Sequence, residues 1–183
     1  AGVLAGDPGS MACALQTQRS FLKPTITAEL TSSANSKVAG QMPPLVSEAG
    51  AFIAKVNVIK QTTSTVFAGL DTGMNHMIRP MFYDSYHDII NISKPGGKER
   101  IYTVVGYICE TDTFGWNRKI SEISEGDLVA FKNAGAYCYA MSSNYNSRFR
   151  PAEVLIHNGK DYLIRKRENL DDLLRNQVII DDM

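Results

Sequence analysis

Residues 153–167 read Glu-Val-Leu-Ile-His-Asn-Gly-Lys-Asp-Tyr-Leu-Ile-Arg-Lys-Arg, and this stretch decides the fold. Val154 to His157 and Lys160 to Ile164 are two runs rich in β-branched and aromatic residues, joined by Asn158-Gly159. An Asn-Gly pair between such runs supplies the two left-handed residues that a type I′ turn requires, so the stretch is a β-hairpin. Working upstream, Asp127–Lys132, Ile101–Ile108, Ile89–Ser93, Ser64–Leu70 and Phe52–Lys60 have the same character, and Pro95-Gly96-Gly97 marks a turn. The nearly unbroken apolar run Ile101–Ile108 is the pattern of a strand buried on both faces. Downstream, Asn169 can cap a short helix, with Asp172 three residues on and Leu170, Leu173 and Leu174 as its apolar side. At least six strands with so little helix predict a mainly β fold, an antiparallel barrel or sandwich with a short C-terminal helix.

Composition sets the frame around that hairpin. The chain has 183 residues, 44% hydrophobic and 21% charged, with 19 Lys+Arg against 19 Asp+Glu, the profile of one ordinary globular domain. A net charge of zero supplies no long-range field toward nucleic acid or an anionic membrane, so neither is expected as a partner. No stretch approaches the roughly 20 apolar residues of a membrane span, and a cytoplasmic protein is expected. Cys13, Cys109 and Cys138 form an odd set without CxxC spacing, which fits reduced thiols. Only five charged residues fall among the first 44, and Pro8, Pro24, Pro43 and Pro44 interrupt that segment. Residues 1–44 are therefore expected to be an unassigned leader without a placed strand, and 45–183 the β domain.

Three polar clusters interrupt the strands: Asp71–His87 (DTGMNHMIRPMFYDSYH), Cys109-Glu110-Thr111-Asp112, and Gly135-Ala136-Tyr137 followed by Ser142–Glu153. Reactive side chains beside Gly or Pro at element ends are where sites are usually built. Singly, each has a plainer reading: His157 as an outward-facing strand residue, Asp71, Asn75 and Asn144 as turn or cap residues, Cys138 as packing. The three histidines, His76, His87 and His157, lack metal-ligand spacing, and no metal site is expected.

Taken in order, the segments Asp71–His87, Val104–Phe114 (VVGYICETDTF) and Ala134–Glu153 (AGAYCYAMSSNYNSRFRPAE) resemble the C-terminal domain of the diaminopimelate decarboxylases, pyridoxal 5'-phosphate enzymes of the alanine-racemase-like fold. The resemblance runs from about Leu45 to the end. It implies a β domain packed beside a cofactor-binding (β/α)₈ barrel, in a homodimer with active sites at the subunit boundary. Residue by residue, it implies that Arg79 and Tyr83 hold a substrate carboxylate, the planar fork of Arg suiting bidentate contact. It further implies that Glu110 takes the distal ammonium, and that Cys109 is the acid returning a proton to Cα at the partner subunit's cofactor. Tyr137 is implied to touch the cofactor phosphate and lie near the substrate. For Cys109 and Glu110, neighbours in sequence, to serve one site, the strand must end or bulge there.

Upstream the sequence departs from that family. Val46-Ser-Glu-Ala-Gly50 matches the end of a family pattern whose preceding Glu-Pro-Gly-Arg is here Gly40-Gln41-Met42-Pro43, without the basic residue. The barrel, with the lysine that carries the cofactor, has no counterpart in the leader, since a (β/α)₈ structure needs at least about 200 residues. Two expectations follow: the chain is the C-terminal part of such a decarboxylase, inactive alone, or a non-catalytic β domain for binding or dimerisation. A related basic amino-acid decarboxylase is the alternative within the enzyme class. Arg79 argues against it, because a substrate without a distal carboxylate leaves that guanidinium unpaired.

Overall fold

A twelve-residue strand organises the fold. In β2 (Gly50–Gln61), Gly50 to Ala54 are all buried, whereas Val58 lies exposed beyond a bulge between Val56 and Val58. The first half is flanked on both sides, by β1 (Thr25–Glu29) and β7 (Leu128–Phe131), and the second half pairs with β3 (Val66–Leu70). Bulges bend a strand and sharpen its twist, and here the bend lets β2 serve two parts of one curved sheet.

The computed structural model describes residues 25–29 and 46–180. The other elements among them are α1 (Arg79–Tyr83), β4 (Ile89–Asn91), β5 (Glu99–Val105), β6 (Thr113–Ser121), β8 (Ala152–His157), β9 (Lys160–Arg165) and α2 (Leu170–Leu174). The sheet runs β6-β5-β3-β2-β1-β8-β9, and β7 joins β2 to β4, giving a nearly closed, barrel-like surface. Phe52, Phe114 and Phe131 form the centre of the core, with Phe131 in ring contact with each of the others at centroid distances of 5.7 and 4.8 Å. Burying one such ring stabilises by about 1.5–3 kcal/mol. Tyr102, fully buried, accepts a 2.9 Å hydrogen bond from the Ile123 amide, so its hydroxyl is not stranded in the core.

The mainly β architecture and the short C-terminal helix agree with the sequence, as does the hairpin, whose turn residues Asn158 and Gly159 both have positive φ. Asn169 caps α2 in a full capping box with Asp172. Four details differ. Two ladders, β1 with β8 and β3 with β5, are parallel. β1 lies inside the expected leader, the rest of which falls outside the described residues together with Cys13 and Gly40–Pro43; its strand is set by partners far away in sequence, which a local reading does not detect. β6 was not expected, because Asn117, Arg118 and Lys119 mask its pattern until β5 pairs with it. Finally, the run Ile101–Ile108 is not one buried strand: Ile101 is exposed, only Tyr102 to Val104 are buried within β5, and the chain leaves the sheet at Gly106.

Candidate active site

All three polar clusters become connecting segments, and they meet around the buried turn Thr72–His76. The Tyr107 amide donates to the Thr72 carbonyl at 3.0 Å, and the Ser143 amide to the Asn75 carbonyl at 2.8 Å. His76, buried, sits between elements: Nε2 lies 2.8 Å from the Phe149 carbonyl and Nδ1 2.7 Å from the Thr72 hydroxyl. A carbonyl only accepts, so Nε2 carries the proton and Nδ1 accepts from Thr72. Burial disfavours the imidazolium and lowers its pKa to about 4.

Asp112 ties the second cluster to the first. One carboxylate oxygen accepts from the Met74 amide and the other from the Ile108 amide, each at 2.8 Å, while the Gly106 amide donates to the Asp112 carbonyl at 2.7 Å. Burial outweighs the two amide bonds and pushes its pKa up to about 6. The loop 106–112 thereby closes on itself and presents Cys109 and Glu110, both exposed. The strand does end before this pair, as joint service in one site demands. The Cys109 thiol donates to one Glu110 oxygen at 3.3 Å, and the Tyr145 hydroxyl to the other at 2.5 Å. Chiefly through Tyr145, Glu110 is held below the usual carboxylate range.

A second group forms at α1. Pro80 starts this helix, Asp84 ends it in the left-handed region, and Arg79 projects from its first turn. The Arg79 guanidinium lies 5.7 Å from the centre of the Tyr83 ring and 5.3 Å from that of Tyr137, within cation–π range of both. Tyr137 comes from the long β7–β8 connection and adopts φ +58°, a costly backbone for a bulky side chain. What holds it there is adjacent: a Cβ on Gly135 would stand 1.9 Å from the Val46 carbonyl oxygen, and one on Gly50 would stand 2.5 Å from the Gly135 Cα. The Gly-Ala-Tyr segment is thus pressed backbone to backbone against Val46–Gly50, with the Gly135 amide donating to the Ser47 carbonyl at 2.9 Å.

The five residues singled out from the sequence therefore form two groups, Arg79–Tyr83–Tyr137 and Cys109–Glu110. Tyr145 and Asp112, given no role by the sequence reading, support the second; for Asp112 the available signal was its place just after Cys109-Glu110. Cys138 is buried and packs, as expected. Among the described residues no group of three His, Cys, Asp or Glu gathers as metal ligands, and no helix is long and apolar enough to cross a membrane.

The model of the pyridoxal-dependent decarboxylase C-terminal sheet domain matches residues 25–135. The chain belongs to this family. Curated relatives named diaminopimelate decarboxylase include one from Haemophilus influenzae, 49% identical over 68% of this chain and 30% of its own length. Another, from Methanothermobacter thermautotrophicus, is 45% identical over 73% of this chain and 31% of its own. The solved diaminopimelate decarboxylase from M. jannaschii in complex with L-lysine superposes with a TM-score of 0.72 at 37% identity, over 75% of this chain and 32% of that one. A lysine/ornithine decarboxylase from Vibrio vulnificus, at 22% identity and a TM-score of 0.55, shows the fold alone. The chain spans about a third of the length of these decarboxylases.

Proposed function

We propose that this domain is the C-terminal part of a diaminopimelate decarboxylase, converting diaminopimelate to L-lysine and CO₂ in lysine biosynthesis, as a cytoplasmic homodimer with a cofactor barrel as its neighbour. The observation that carries the proposal is Arg79 set between the Tyr83 and Tyr137 rings, with an acid–thiol pair on the adjoining loop system. Arg79 fixes a substrate carboxylate through its planar fork, and Tyr83 adds one donor. Glu110, ionised at neutral pH, receives the distal ammonium. The exposed Tyr137 hydroxyl, next to the Arg79 charge, suits the phosphate edge of pyridoxal phosphate. When bound, that cofactor takes up the electron pair left on Cα as CO₂ departs. Cys109, whose thiol is held toward Glu110 at 3.3 Å, supplies the proton that returns to Cα.

The graft of this domain in place of the C-terminal domain of the Haemophilus influenzae relative tests the reading. Cys109→Ala should lower kcat with little change in KM, and Glu110→Gln should mainly raise KM for diaminopimelate. Unchanged kinetics in both variants of an active graft would remove the assignment. The alternative of a non-catalytic dimerisation domain predicts that outcome. The 183-residue chain alone, without a cofactor lysine, should release no CO₂ from diaminopimelate beyond the background rate of added pyridoxal phosphate.

A further inference from the structure

We infer that Tyr145 is a positioning residue for Glu110, fixing the carboxylate that sets selectivity for the distal ammonium; the inference rests on the role just proposed for Glu110. A carboxylate on an exposed loop has several rotamers, and a site that recognises an ammonium needs one of them. Both Glu110 oxygens are engaged, Oε1 by the Tyr145 hydroxyl and Oε2 by the Cys109 thiol. The two bonds are unequal in purpose. A thiol that gives up its proton ceases to donate, so during turnover Tyr145 is the partner that stays.

Tyr145 is itself held. It opens a short 3₁₀ turn, Tyr145–Ser147, in which Asn146 and Ser147 take positive φ. Such a backbone persists only where the surroundings enforce it. Three tethers do so here. The Ser143 amide bonds to the Asn75 carbonyl, the Asn144 side chain donates to Glu168 at 2.6 Å and to the Arg148 carbonyl at 3.0 Å, and the Arg148 amide closes the turn on the Tyr145 carbonyl. Glu168 in turn accepts from the Arg150 amide at 2.8 Å. The ring is therefore delivered by the buried Thr72–His76 turn on one side and by the segment leading into α2 on the other. Glu110, 35 positions away in sequence, receives a donor whose place is set by the core.

Tyr145→Phe removes one oxygen atom from a half-exposed ring and keeps its shape. In the 183-residue chain, carbon-detected NMR of the Glu110 carboxyl should show its titration midpoint moving upward in this variant. In the graft, Tyr145→Phe should raise KM for diaminopimelate about fivefold with kcat nearly kept, less than the roughly tenfold or more of a sheltered hydrogen bond to a charged group because Glu110 is exposed. Combined with Glu110→Gln it should add almost nothing, since the two act as one unit. A Glu110 titration unmoved by Tyr145→Phe overturns the inference, as do additive effects on KM. If Glu110→Gln itself leaves KM unchanged while the titration moves, the role of Glu110 fails and the Tyr145 contact stands as structural only, which also overturns the positioning claim.

Discussion

Removing the Asp112 charge should expose an acid sensitivity that the intact chain conceals. Asp112 and His76 titrate in overlapping ranges with opposite consequences. The Asp112 pKa is raised from 3.8 to about 6, so the folded state binds this proton more tightly than the unfolded state, and acidification from pH 6 toward 3.8 stabilises the fold. The His76 pKa is lowered from 6.5 to about 4, so the folded state resists this proton, and acidification from pH 6.5 toward 4 destabilises. Each tenfold difference in proton affinity between the folded and unfolded states is worth about 1.4 kcal/mol, so the histidine contributes a loss of about 3 kcal/mol. The aspartate contributes a gain of similar size, trimmed to about 2 kcal/mol because water reaches part of the carboxylate. Together they leave a net loss of only about 1 kcal/mol across the window. Asp112→Asn lowers stability at all pH values by stranding one of the two loop amides, and it also deletes the compensating gain. Urea unfolding of the 183-residue chain, followed by circular dichroism at pH 6.5, 5.5 and 4.5, reads the slopes directly. The variant should lose about 1 kcal/mol more than the parent between the two extremes, the part of the aspartate's gain that falls above pH 4.5. Parallel pH profiles for parent and variant would refute the account of this cluster.

Gly135→Ala should lower stability by about 3 kcal/mol, because its methyl group would meet the Val46 carbonyl oxygen at 1.9 Å and backbone must move; a thermal midpoint within about 2 °C of the parent would contradict this. Asn169→Ala, which loses acceptance from the Asp171 and Asp172 amides, should cost about 1 kcal/mol. Its effect should appear as faster amide exchange confined to α2. The 183-residue chain should self-associate, since Phe82, Tyr86, Leu163, Ile164, Ile179 and Ile180 are all exposed. A single monomeric species in sedimentation at every concentration would count against it.

The parts of this molecule written in local pattern were legible before any coordinates. The Asn158-Gly159 hairpin, the Asn169 capping box and the run of β2 depend on neighbours in sequence, and each appears where the residues indicate. What escaped lacks such a pattern. β1 exists because β2 and β8, distant in sequence, offer edges to it, and β6, though it follows β5 closely, is hidden by the polar run Asn117-Arg118-Lys119. The same division holds for the site. Arg79, Tyr83 and Tyr137 could be named from a motif resemblance; Arg79 meets Tyr83 one helical turn away on α1, and the Tyr137 segment is held by the backbone packing of Gly50 on Gly135. Tyr145 and Asp112 reach partners 35 and 38 positions away; the place of Asp112 just after Cys109-Glu110 hints at a role, but neither long-range partner can be read from the neighbouring sequence.

The three-way pairing of β2 has a consequence for how the domain can come apart. Its residues ladder with β1, with β7 and with β3, so each of these strands loses its backbone partners when β2 detaches. A sheet assembled from two independent hairpin layers can lose one and keep the other, whereas a shared central strand makes every breach collective. The amides of Phe52 to Val56 should therefore exchange with solvent only in the rarest openings, at rates set by unfolding of the whole domain, while β9 and α2 flicker open on their own.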